Sequence, residues 1–137
     1  EYLMQYSAAN RRVSAAQEHL AHLRETAQKT TPHYGETGGR SSESDRLGAA
    51  VARIVDAENC LDAEISALLA LKAEIEGAIG KVENERLRVI LYRRYILGEK
   101  WHQIADALYL SDDRWVRRLH KRALCELESK LTLESPP

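Results

Sequence analysis

The chain predicts an all-α protein: a long antiparallel helical hairpin, coiled-coil-like, followed by a compact C-terminal module of shorter helices. Three observations carry this. The 137 residues include no Phe, 7 Gly and 3 Pro. Ala, Leu, Glu and Arg dominate instead, and these lose little rotamer freedom in a helix. Apolar residues recur at helical spacing along two long stretches, and strand-like alternation of β-branched residues is absent.

The first helix is a heptad stripe. Tyr2, Tyr6, Ala9, Val13, Ala16, Leu20, Leu23 and Ala27 alternate steps of four and three. That spacing makes the seam of a coiled coil or helical hairpin. Arg11, Arg12, Glu18 and Glu25 fall off the stripe. The pattern stops at "TTPHYGETGGRSSESD", which predicts a loop over about 30–45, long for a connection inside a domain.

A second stripe follows: Leu47, Val51, Ile54, Leu61, Ile65, Leu68, Ile75, Ile79 and Val82. It predicts a helix from about Ser44 to Val82, roughly 55 Å long at 1.5 Å per residue. Glu58 and Lys72 interrupt the stripe, either fixing register or reaching solvent from its edge. The first helix is the shorter of the two, so part of the second stripe stays uncovered. That remainder predicts self-association or packing on the C-terminal module. Residues 1–82 are thus expected to form an oligomerisation arm, 83–131 a separate domain, and 132–137 a disordered tail.

Gly77 and Gly80 mark a bend. A helix over Glu85–Leu97 follows, with Leu87, Ile90, Leu91 and Tyr95 inward, Arg86, Arg88, Arg93 and Arg94 mostly outward, and Gly98 as its stop. A short helix then buries Ile104, Ala105 and Leu108, a turn passes through Tyr109, and Ser111 is placed to N-cap the last helix. Asp112 and Asp113 sit where carboxylates complement a helix dipole. Trp115 or Val116, with Leu119, Ala123, Leu124 and Leu127, lines the inner face of that helix. Trp115 is expected in the core.

The stretch "RLRVILYRRYILGEKWHQIADALYLSDDRWVRRLHKRAL" resembles region 4 of sigma-70-type factors. It also resembles the sigma-region-4-like late transcriptional regulators of phages and prophages, the RinA and ArpU type. The resemblance covers about residues 85–127. It implies a DNA-binding helix-turn-helix with a recognition helix over about 112–128 in the major groove, and a core of Ile104, Ala105, Leu108, Ser111, Trp115, Val116 and Leu119. Arg114, Arg117 and Arg118 would enter the groove, and Lys121 and Arg122 would lie nearer the backbone. Arg93, Arg94, Lys100 and His102 would contact phosphates. Two departures stand out. Tyr109 holds a turn position where Gly or Asn is usual. Ser111 to Leu119 is one residue longer than the family spacing, so either Trp115 or Val116 takes the aliphatic slot.

Charge agrees with that expectation. Residues 86–122 hold 10 Lys/Arg against 4 Asp/Glu, net +6, whereas residues 1–85 hold 9 against 14 and residues 123–137 hold 1 against 3. A basic block between acidic flanks suits a nucleic-acid-binding module on a neutral scaffold. The expected partners are double-stranded DNA and a second copy of the chain as a dimer, with host RNA polymerase a candidate partner of the arm. A DNA-packaging role like that of a small terminase subunit, another helical assembly role, and a protein-only adaptor are the alternatives.

Enzymatic chemistry finds no footing. His19 and His22 lack a completing Asp, Glu or Cys, so no metal is expected. "GETGG" lacks the following Lys-Ser/Thr of a phosphate loop, and no cofactor is expected. Cys60 and Cys125 have no CxxC partner and suit reduced thiols. No apolar run approaches the roughly 18 residues that span a bilayer, and no signal peptide is visible. A cytoplasmic protein of a bacterial host cell is expected.

Overall fold

A computed structural model describes residues 2–29 and 40–134. These are all-helical, with no strand among them. After a 3-10 turn at Tyr2–Met4 come α1 (Gln5–Lys29), α2 (Arg40–Ile79), α3 (Glu85–Tyr95), α4 (Trp101–Ala107) and α5 (Asp113–Glu134). No helix of the described residues is long and apolar enough to cross a membrane.

The chain divides into two compact units. The first, residues 9–68, is a helical hairpin. Arg12 pairs with Glu64 at 3.4 Å and Arg24 with Glu58 at 2.9 Å. One partner's number rises as the other's falls, so α1 and α2 run antiparallel here. The α1 stripe faces inward: Ala9, Val13 and Leu20 are buried, and Ala16, Leu23 and Ala27 are half-buried. On α2, Ile54, Leu61, Ile65 and Leu68 are half-buried, but Leu47, Val51 and Val55 are 66%, 50% and 46% exposed. Glu58 is an edge position held by Arg24, a surface ion pair worth at most about 1 kcal/mol.

The second unit takes residues 1–8 together with 69–137. One core cluster joins Leu3 to Ile75, Ala78, Ile79, Val82, Leu87, Leu91, Ala123 and Leu127. A boundary at 82 therefore falls inside this unit. The physical reason is that Ile75 and Val82 are fully buried and Ile79 nearly so, on side chains from α3 and α5. Lys72 pairs with Glu76 at 3.9 Å, one turn along α2. A second cluster holds Ile90, Ile104, Ala105 and Val116, with Leu119 packed against both clusters. Each fully buried Ile or Val contributes about 1.5–3 kcal/mol relative to exposure.

Several expected boundaries shift. The loop over 30–45 is shorter, because α2 begins at Arg40. No Gly or Pro interrupts 40–47, and Glu43 complements the dipole in the first turn. Residues 30–39 lie outside the described residues. The second helix ends at Ile79 rather than Val82, in a turn through Gly80 and Lys81. Arg88 donates to the carbonyls of Val82 and Glu83 there at 2.9 and 3.2 Å, so it is half-buried and does not simply face out. Asn84 caps α3 by accepting from the Leu87 N–H at 3.3 Å. The tail expected from 132 is helical to Glu134, because Leu131 packs on the first cluster and Lys81 pairs with Glu134. Residues 135–137 lie outside the described residues.

Candidate nucleic-acid interface

Everything at this site depends on how α3, α4 and α5 are joined. α3 stops at Tyr95, two residues before the expected end, and Gly98 reverses the chain at φ 69°. Only a residue without a Cβ takes that conformation at no steric cost. Arg93 and Arg94 then clamp the link. Arg93 donates twice to the Glu99 carboxylate, at 2.9 and 3.1 Å. Arg94 donates to the Glu99 carbonyl at 3.0 Å and lies 4.1 Å from the Trp101 ring centre. The Lys100 N–H donates to Gln103 Oε1 at 2.8 Å and so starts α4.

α4 ends in a Schellman motif. The Leu110 N–H donates to the Ala105 carbonyl at 2.8 Å and the Tyr109 N–H to the Asp106 carbonyl at 3.2 Å. This closure requires a left-handed residue at the position usually held by Gly. Tyr109 supplies it, at φ 56° and 96% exposed. Leu110 folds back onto the Ile104 cluster. Ala105 is buried at 4% exposure in that cluster, beside Val116 of α5.

The cap of α5 is Asp112, not Ser111. Asp112 Oδ1 accepts from the Arg114 N–H at 3.0 Å. A carboxylate binds an amide N–H more strongly than a hydroxyl does, and Ser111 stands exposed, outside the core to which it was assigned. That N–H holds the Asp112 carboxyl below its ordinary range, helped by the Asp113 side chain and the charges of Arg114 and Arg117. Val116 is fully buried, whereas Trp115 is 53% exposed. The expectation of Trp115 in the core is thus corrected. Buried Val116, Ala123 and Leu127 and half-buried Leu119 set the inner stripe in steps of three and four, and Trp115 falls beside it. Trp115, Leu119 and Ala123 are spaced by four and four, and Val116, Leu119 and Ala123 by three and four, so helical spacing admits either residue to the inner stripe.

The outer side of α5 carries two parallel rows, because residues three and four apart lie above one another on a helix. Arg114, Arg117 and Lys121 form one row, and Trp115, Arg118 and Arg122 the other. All six are exposed. In the first row Arg114 pairs with Asp112 at 3.6 Å and Arg117 with Asp113 at 3.4 Å. In the second row Arg118 lies 5.3 Å from the Trp115 ring centre. Lys100 and His102 are exposed at the start of α4. Arg93 and Arg94 are half-buried and occupied in the link, which corrects their assignment as outward phosphate contacts. Both hold the α3–α4 geometry instead.

Behind the cations lies a polar-aromatic cluster. The Tyr95 hydroxyl and His120 Nε2 share a hydrogen bond of 2.7 Å, and Trp101 meets the imidazole edge-on at 4.7 Å. Burial, then the Arg94 charge, pushes the His120 pKa down, and burial pushes that of Tyr95 up. His120 was not among the expected site residues; only its place between the inner and outer faces of α5 marks it.

Elsewhere, an open groove of about 490 Å³ is lined by Ile79, Val89, Tyr92 and Leu97 among others. Among the described residues no group of His, Cys, Asp and Glu could hold a metal ion. Cys60 and Cys125 are both free and exposed. No family model, curated protein or solved structure matches the chain.

Proposed function

We propose that this protein is a sequence-specific DNA-binding regulator of the phage or prophage sigma-region-4-like kind. In this reading α4, the Tyr109 turn and α5 act as a helix-turn-helix, and α5 enters the major groove. The observation that carries it is the outer side of α5. Arg114, Arg117, Arg118, Lys121 and Arg122 are exposed together over its first turns, while the opposite side is buried at Val116, Ala123 and Leu127. Guanidinium groups so presented suit guanine O6/N7 and phosphate oxygens. The reading includes self-association through Leu47, Val51 and Val55, an exposed apolar row at one-turn spacing on α2.

The test is a fluorescence-anisotropy titration of mixed-sequence duplex DNA at several salt concentrations, beside an Arg117→Glu/Arg118→Glu variant. Wild-type affinity is expected to fall steeply with salt, because counterions return to the phosphates that the cations release. The variant is expected to lose binding while keeping its helical signal. No binding by folded wild type at low salt would refute the reading and turn it toward a protein-only adaptor.

A further inference from the structure

The two outer rows of α5 are chemically unequal. Arg114 and Arg117 each already face a carboxylate, Asp112 and Asp113. Among the described residues Arg118 and Arg122 have no ion pair, and the row they share begins with an indole. Folding makes little use of that indole. It stands 53% exposed while its neighbour Val116 fills the core. A Trp side chain brings about 150–250 Å² to an interface, and this one lies in the first turn of α5. That is the part of a recognition helix that reaches base edges. Arg118, 5.3 Å from the ring centre, braces it from one turn further on.

The major groove offers one apolar group on the base edges, the C5-methyl of thymine. Guanine O6 and N7 offer the acceptor pair that a guanidinium takes. We infer that the Trp115–Arg118–Arg122 row is the base-reading edge of α5, with the Trp115 indole packed on a thymine methyl and Arg118 on an adjacent guanine. This rests on the duplex-DNA reading above. The Arg114–Arg117–Lys121 row then lies toward the phosphates. Asp112 and Asp113 moderate its charge, so that non-specific attraction does not swamp the reading of bases.

The experiment begins by enriching duplexes from a random-sequence pool with wild-type protein. The enriched duplex and a copy with deoxyuridine in place of thymine are then titrated with wild type, Trp115→Ala and Arg114→Ala. Loss of the methyl is expected to weaken wild-type binding about fourfold, the effect of one buried methyl group. Trp115→Ala should bind both copies alike, and Arg114→Ala should keep the wild-type difference. Because Trp115 is exposed, its replacement leaves the core intact, which circular dichroism checks. Wild type indifferent to the methyl, a pool that yields no preference, or a Trp115→Ala protein that retains the full difference would each overturn the inference while DNA binding stands. Absence of any wild-type binding would instead bring down the DNA reading itself.

Discussion

His120 sits on α5 where the inner face meets the outer, and it touches side chains from two other helices. Tyr95 reaches it from α3 and Trp101 from α4. Burial disfavours its charged form, and the nearby Arg94 charge adds to this. Its pKa in the folded protein therefore lies below the ordinary 6.5, and the unfolded chain takes up the proton first. Linkage then makes stability full above about pH 6.5 and lower as pH falls below that value. The urea midpoint should decline between pH 7 and pH 5 in wild type. A His120→Gln variant should be flat over that interval and decline only at lower pH. There carboxyls held below their ordinary range, such as Glu83 beside Lys130 and Asp112 beneath the Arg114 N–H, become protonated. An identical decline in the variant would remove His120 as its cause.

The turn between α4 and α5 shows how an element can be right in outline and strained in detail. Its Schellman closure requires a left-handed residue, and the chain supplies Tyr109 at φ 56°. An L-residue in that conformation costs roughly 1–2 kcal/mol, and Gly gives back about 0.5–1 kcal/mol as extra freedom of the unfolded chain. Tyr109→Gly should therefore stabilise the protein by about 0.5–1 kcal/mol, and Tyr109→Val should destabilise it, β-branched residues being poorest at positive φ. Urea melts with an unchanged slope measure both. A destabilised Gly variant would mean that the ring, 96% exposed in the monomer, makes contacts the isolated chain does not show. The helices themselves were legible: every member of the α1 stripe is buried or half-buried, as its four-three spacing demands. The start of α2 was less so, because Ser, Glu and Asp in "RSSESD" serve a loop and a helical first turn equally well.

At the scale of the whole molecule, charge is segregated along the chain and apolar surface is left over. The net +6 of residues 86–122 lies between acidic segments, which keeps attraction to a polyanion local to the basic module. On the hairpin, α2 is a helix of 40 residues against the 25 of α1, and Leu47, Val51 and Val55 of α2 are left exposed. A homodimer through this row is expected in sedimentation-equilibrium measurements at micromolar concentration. Leu47→Glu/Val51→Glu should yield monomer with unchanged helicity, and under the proposed DNA-binding reading its affinity for duplex DNA should fall, because two linked basic faces bind more tightly than one. A wild type that stays monomeric at all accessible concentrations would rule this assembly out.

By itself the sequence determined the all-helical class, the hairpin seam and the cationic side of the last helix. Each is a periodic property: apolar and charged residues repeat at the helical period, and helix period is a local consequence of backbone geometry. Only the tertiary structure decided which residues near the turn face in. Trp115 and Val116 are adjacent and both apolar, and local rules do not choose between them. The choice came from space: Ile90, Ile104 and Ala105 leave a site closed around a Val side chain, and the larger indole is turned out beside Arg118. The same holds for Arg93 and Arg94, which look like surface charge in one dimension. The Gly98 reversal brings Glu99 back onto them and makes them the clamp of the α3–α4 link.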